Sequence, residues 1–141
     1  MRLMSYSTFS ALAVVALLAS PARADTVTLK ASMNAASEVP PNDSKATGTL
    51  TATYDTGSKL LSWKGSYSGL SGPATAAHFH GPAEPGKNAP VAVPIPNPTA
   101  SFEGSATLTD AQAADLLAGR YYANVHTEAN KGGEIRGQVT K

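Results

Sequence analysis

Imidazole is the side chain with the widest chemical reach in this sequence, and it occurs three times in 141 residues, as His78, His80 and His126. His78 and His80 flank Phe79 in a run that reads as a β-strand. A period of two sends both imidazoles to one face and Phe79 to the other. Strand residues two apart lie ~6.5–7 Å apart along the axis, so neighbouring rings on one face can chelate a single ion. His126 lies in a second strand-like run, Ala123-Asn124-Val125-His126-Thr127, with Val125 assigned to the core. If the two runs pair side by side, three neutral imidazoles converge. Imidazole suits copper, zinc, nickel or iron, whereas magnesium and calcium favour oxygen. With no thiolate available, copper is the first candidate and zinc the second. The plain alternative is a His-x-His pair that merely decorates a surface strand.

The groups around these histidines admit the same two kinds of role. Three protein nitrogens with one open position describe a catalytic metal, and four closed ligands describe storage or structure. Arg136 is a candidate for drawing an anion such as superoxide electrostatically. Glu128 or Glu134 could orient an imidazole through its second nitrogen, or all three could form ordinary surface ion pairs of little energetic worth. Met33 reads as core rather than as a soft ligand. Trp63, Tyr67, Tyr121 and Tyr122 read as core or edge aromatics rather than a sugar platform. No phosphate loop or nucleophile elbow is present, and neither the carboxylates nor the hydroxyls are spaced as a catalytic set.

Composition removes whole classes of function. Zero cysteines exclude a disulfide scaffold, an iron–sulfur cluster and a cysteine nucleophile. The formal charge of +1 forms no Lys/Arg stripe, so nucleic acid is not an expected partner. The start of the chain reads as a secretory signal peptide over residues 1–24. Arg2 precedes an apolar stretch from Phe9 to Ala19, and Ala22-Arg23-Ala24 forms an A-x-A cleavage site. The stretch is short of the ~20 residues that span a bilayer. Cleavage removes two of the 11 basic residues and none of the 10 acidic ones. A periplasmic or secreted domain over residues 25–141, with no membrane span after cleavage, is the expectation.

That domain must supply the strands that position the imidazoles. Val27–Met33 and Gly48–Tyr54 alternate apolar and polar residues. Asp55-Thr56-Gly57-Ser58 is a turn, followed by Leu60–Ser68 with Leu61, Trp63, Gly65 and Tyr67 on one parity, as in a hairpin. Ala74–His80, Val91–Ile95, Ser101–Leu108, Arg120–Thr127 and Gly133–Thr140 complete the strands, and the Pro-rich stretch Gly81–Pro98 reads as a long functional or packing loop. Residues 110–118 break the pattern: Thr109 can cap a short helix, Gln112 completes a capping box, and Gly119 ends it. The expected fold class is all-β, an antiparallel Greek-key-like β-sandwich with one short helix.

Three segments carry a resemblance to a known family. Ala35-Ala36-Ser37-Glu38-Val39-Pro40-Pro41, Ala76-Ala77-His78-Phe79-His80-Gly81-Pro82-Ala83, and the run from Tyr122 to Val139 containing Asn124-Val125-His126-Thr127 and Gly132-Gly133-Glu134-Ile135-Arg136-Gly137 resemble the CHRD domain, named from chordin. The resemblance covers about residues 26–140 and implies a module found in many exported bacterial proteins, mostly without an assigned activity. A more distant similarity is to the copper site of copper–zinc superoxide dismutases: His78-Phe79-His80 resembles that family's His-x-His strand, Val125-His126-Thr127-Glu128 its Val-His-Glu strand, and Arg136 its arginine. The departures are large, since no bridging or zinc-binding histidine and no cysteine pair is present. A mononuclear copper site on His78, His80 and His126 is the most that this similarity implies. The expected function is an exported copper-binding protein in copper handling or redox protection. The alternatives are a non-catalytic interaction module of the periplasm or cell surface, whose partner is another exported protein, and a copper-only enzyme of dismutase type. Three ligands in two motifs also leave room for a homodimer that shares the site.

Overall fold

The computed structural model describes residues 23–141. All but the last two residues of the expected signal peptide lie outside the described residues. Eight strands alternate inward and outward side chains as the sequence predicts. They are β1 (Thr26–Asn34), β2 (Thr47–Asp55), β3 (Leu60–Ser68), β4 (Ala74–His80), β5 (Val91–Pro94), β6 (Ser101–Thr107), β7 (Tyr121–Thr127) and β8 (Ile135–Val139). The short helix α1 spans Asp110–Leu117. Its Thr109 cap accepts from Gln112 N while Gln112 Oε1 accepts from Thr109 N, the reciprocal capping box. Leu116 and Ala113 of α1 are buried in the core, and Gln112 Nε2 donates to Ala92 O of β5 at 3.2 Å.

The strands form one antiparallel sheet in the order β5-β4-β7-β8-β1-β2-β3-β6. Its two layers are therefore two halves of a single sheet, with β1 to β3 a meander and β4 reached by a crossover. Trp63 of β3 and Phe79 of β4 lie on strands five places apart in that order, yet their rings meet edge to face at 5.1 Å. The sheet has curled until its ends face each other, as twist dictates for a sheet with one apolar face. Leu29, Leu50, Leu61, Phe79, Val125, Ile135 and Val139 fill the interior. Trp63, Tyr67, Tyr121 and Met33 join the core side of the fold, as their strand parities predict.

Two glycines let aromatics lie flat against the sheet. In the β3–β6 register Trp63 faces Gly104 and Gly65 faces Phe102. A Cβ on Gly104 would meet Trp63 Cζ2 at 2.6 Å, and one on Gly65 would run into the Phe102 ring. We expect Gly104→Ala to lower stability by roughly 1–3 kcal/mol, as overpacked cores do. Denaturant unfolding checks it; an unchanged midpoint would show that the indole moves aside freely.

Candidate metal centre

The β4–β7 register sets the site. His78 pairs with Asn124, Ala76 with His126, and His80 with Tyr122. Ala77, Phe79, Ala123 and Val125 point into the core, so His78, His80, Tyr122, Asn124 and His126 share the opposite face. On an antiparallel sheet that face is commonly wet. Here it is not: every residue of β7 is buried. Contacts from residues 38, 87–89 and 131 reach over it, making a second, polar interior.

Within it the three imidazoles converge. Ring centroids lie 5.3 Å apart for His78 and His80, 5.0 Å for His78 and His126, and 6.1 Å for His80 and His126. Among the described residues they form a group whose candidate donor atoms all lie within 4.8 Å of one another. The backbone decides which nitrogens those are. His80 Nδ1 lies 2.9 Å from Ala89 O, and His126 Nδ1 lies 2.8 Å from Lys131 O. A carbonyl only accepts, so Nδ1 carries a proton in both rings, and in the neutral form of each ring Nε2 keeps a lone pair. His78 Nδ1 sits 3.1 Å from His126 Nε2. Burial, then the neighbouring histidines, pushes the pKa of His78 down. Burial is also the largest influence on His80 and outweighs its hydrogen bond to Ala89 O and the nearby Asn124 side chain, so its pKa too is lowered. Neutral imidazoles with inward lone pairs are a donor set that fits copper or zinc. His78 is the partly exposed member of the three.

Three residues that the sequence analysis did not assign to the site, or assigned differently, complete it. Asn124 is 1% exposed, and its Oδ1 lies 3.0 Å from His80 Nε2 and 2.9 Å from His126 Nε2. The signal for it was available: Asn124 shares the parity of His126, two residues on. Glu38 and Arg136 form a buried ion pair, Nε to Oε2 at 3.1 Å. The other two guanidinium nitrogens of Arg136 donate to Lys87 O at 3.0 Å and Asn88 Oδ1 at 2.6 Å, and its Cζ lies 3.8 Å from the Tyr122 ring centroid. Tyr122 in turn stacks on His80 at 4.8 Å. Arg136, the candidate for drawing anions, thus has all three nitrogens engaged inside the fold. Burial raises the pKa of Glu38, opposed by the charge of Arg136 and by the facing Asn124 amide. Oε1 of Glu38 nonetheless makes no fully formed hydrogen bond.

The glutamates expected beside the imidazoles lie elsewhere. Glu128 is exposed and pairs with Lys131 at 2.9 Å. Glu134 is wholly buried, but it accepts from Ser44 Oγ, Ser71 Oγ and Thr127 Oγ1, each at 2.6 Å, and from Ser71 N at 2.9 Å, rather than from an imidazole. Burial on its own would raise its pKa; the bonds from Ser44, Ser71 and Thr127 overcome that and bring it to about 2. Glu134 therefore braces the turn after β7 whose Lys131 carbonyl orients His126. A carboxyl held below its unfolded value stabilises the fold above pH ~4.5, and that contribution fades as pH falls toward ~2. We expect Glu134→Gln to cost roughly 2 kcal/mol near neutral pH and little near pH 2. Stability curves for both proteins across that range check it; a pH-independent difference would assign the loss to packing.

The model of the CHRD domain family matches residues 29–139. The chain belongs to the CHRD domain family. No curated protein and no solved structure matches it.

Proposed function

We propose that this CHRD domain is an exported protein that binds one transition-metal ion through His78, His80 and His126. Copper is the metal and zinc the second fit, and its work is copper handling or redox protection. The observation that carries this reading is the convergence of three candidate donor atoms within 4.8 Å, with Nε2 of His80 and His126 freed by carbonyl bonds to Nδ1. Such second-partner bonds fix the tautomer and ring direction that a metal ligand needs. Copper at this position supplies one-electron chemistry or serves as cargo. The residues of this chain hold the rings: Tyr122 stacks on His80, and the carbonyls of Ala89 and Lys131 hold Nδ1 of His80 and His126. The partial exposure of His78 supports exchange of the ion on that side. The engagement of Arg136 with Glu38, Lys87 and Asn88 supports a carrier over a dismutase, because a steering charge acts best when it faces the anion. Export is supported by the apolar run that ends in Ala22-Arg23-Ala24.

Protein purified from the periplasm or medium is expected to take up one copper per chain. Its electron paramagnetic resonance spectrum is expected to show nitrogen splitting from about three imidazoles. His126→Ala is expected to lose more affinity than the roughly 10–100-fold that removing an outer-shell partner costs. A chain that binds no stoichiometric copper, or whose His126→Ala variant binds as before, overturns the reading. Superoxide turnover by the loaded protein above that of free copper chelates would replace the carrier by the enzyme.

A further inference from the structure

The inner face of the site holds more acceptors than donors. With Nδ1–H of His80 and His126 committed to Ala89 O and Lys131 O, both Nε2 atoms present lone pairs. Both face Asn124 Oδ1, itself an acceptor, at 3.0 and 2.9 Å, and His126 Nε2 also faces His78 Nδ1 at 3.1 Å. With both rings neutral, no proton lies between these lone pairs and they repel at hydrogen-bond distance, and burial removes the water that could mediate. A cation resolves the conflict.

The rest of the fold keeps the amide in this orientation. Asn124 presents its amide to the Glu38 carboxyl, which Arg136 holds from the other side. A Cβ on Gly133 would meet Asn124 Nδ2 at 2.8 Å and collide with Glu38 Oε1, so Nδ2 and the carboxylate crowd the same spot. Turning the amide over would set Oδ1 against that carboxylate. Three of the six distances among the four donors also match a shared ion: donors bound at ~2.0–2.1 Å in tetrahedral or square shells stand about 2.8–3.4 Å from their neighbours. Asn124 Oδ1 to both Nε2 atoms, and His78 Nδ1 to His126 Nε2, already fall in that range.

We propose that Asn124 Oδ1 is a fourth ligand of the ion, so that the site is three nitrogens and one oxygen. The proposal rests on the three-histidine reading and adds to it. It also sets the metal's character: a hard oxygen beside three imidazoles favours Cu(II) and Zn(II) over Cu(I), which prefers softer donors.

The test titrates Cu(II) and Zn(II) into the whole secreted chain and its Asn124→Ala and Asn124→Asp variants. Pulsed paramagnetic resonance of the Cu(II) form carrying 13C-labelled asparagine reports contact directly. Asn124→Ala is expected to bind one ion per chain at least tenfold more weakly, and Asn124→Asp, which keeps an oxygen in place, at least as tightly as the parent. The labelled parent is expected to show a 13C coupling that the Asp variant lacks, a signature that a residue merely propping the rings would not give. Equal affinity in Asn124→Ala, or no 13C coupling in the parent, overturns the oxygen ligand and leaves the three histidines standing. If Asn124→Ala does not fold, the labelled parent and Asn124→Asp decide alone. A parent chain that binds neither ion overturns both readings together.

Discussion

The ion pair between Glu38 and Arg136 is the contact on which the polar side of this domain depends. It joins residues 98 positions apart, both nearly excluded from solvent. Buried pairs of this kind add little net stability over an apolar replacement, because desolvating two charges is costly; losing one partner, however, leaves a stranded charge and costs about 3–5 kcal/mol. The pair is therefore better understood by what it holds. Glu38 lies just beyond β1, while Arg136 on β8 reaches Lys87 O and Asn88 Oδ1 in the Pro-rich loop after β4. One guanidinium thus fastens both segments over a sheet face that would otherwise be wet.

That closure fixes the chemistry of two rings through backbone carbonyls. The loop held by Arg136 carries Ala89, whose carbonyl assigns the proton of His80 to Nδ1. The turn braced by Glu134 carries Lys131, whose carbonyl does the same for His126. In each case a buried charge positions a loop, the loop positions a carbonyl, and the carbonyl directs a lone pair at the common centre. Sheet register alone brings the rings near one another, but it leaves their tautomers open. The loops remove that freedom.

Local signals in the sequence account for the sheet and for the three histidines. Alternation marks the eight strands to within a residue or two at their ends, and Thr109 with Gln112 marks the helix because a capping box is a short-range device. The period of two places His78 and His80 together, and it places Asn124 beside His126. What was not legible depends on distant partners. Nothing near Arg136 in the chain says that its guanidinium turns inward to Glu38 and the loop rather than outward to an anion. Glu134 follows a Gly-Gly turn and resembles a surface acid, yet three hydroxyls from Ser44, Ser71 and Thr127 enclose it. The curling of one sheet into two layers shows the same limit, since each strand has the same pattern whether its layers are separate or continuous.

β7 is where these constraints meet, because both of its faces are covered. Its inward residues, Tyr121, Ala123 and Val125, belong to the apolar core, and its outward ones, Tyr122, Asn124 and His126, belong to the polar interior. Strands buried on both faces are ordinarily apolar throughout. Keeping Asn124 and His126 in such a strand requires a partner for every polar atom, since an unmatched buried group costs about 1–3 kcal/mol. The fold meets that demand for Nδ1 of His126, for the hydroxyl of Thr127 and for the guanidinium of Arg136. On this polar face it leaves acceptors facing one another where His80, His126 and Asn124 converge, beside the unpaired Oε1 of Glu38, so the unmet demand of the face is for positive charge.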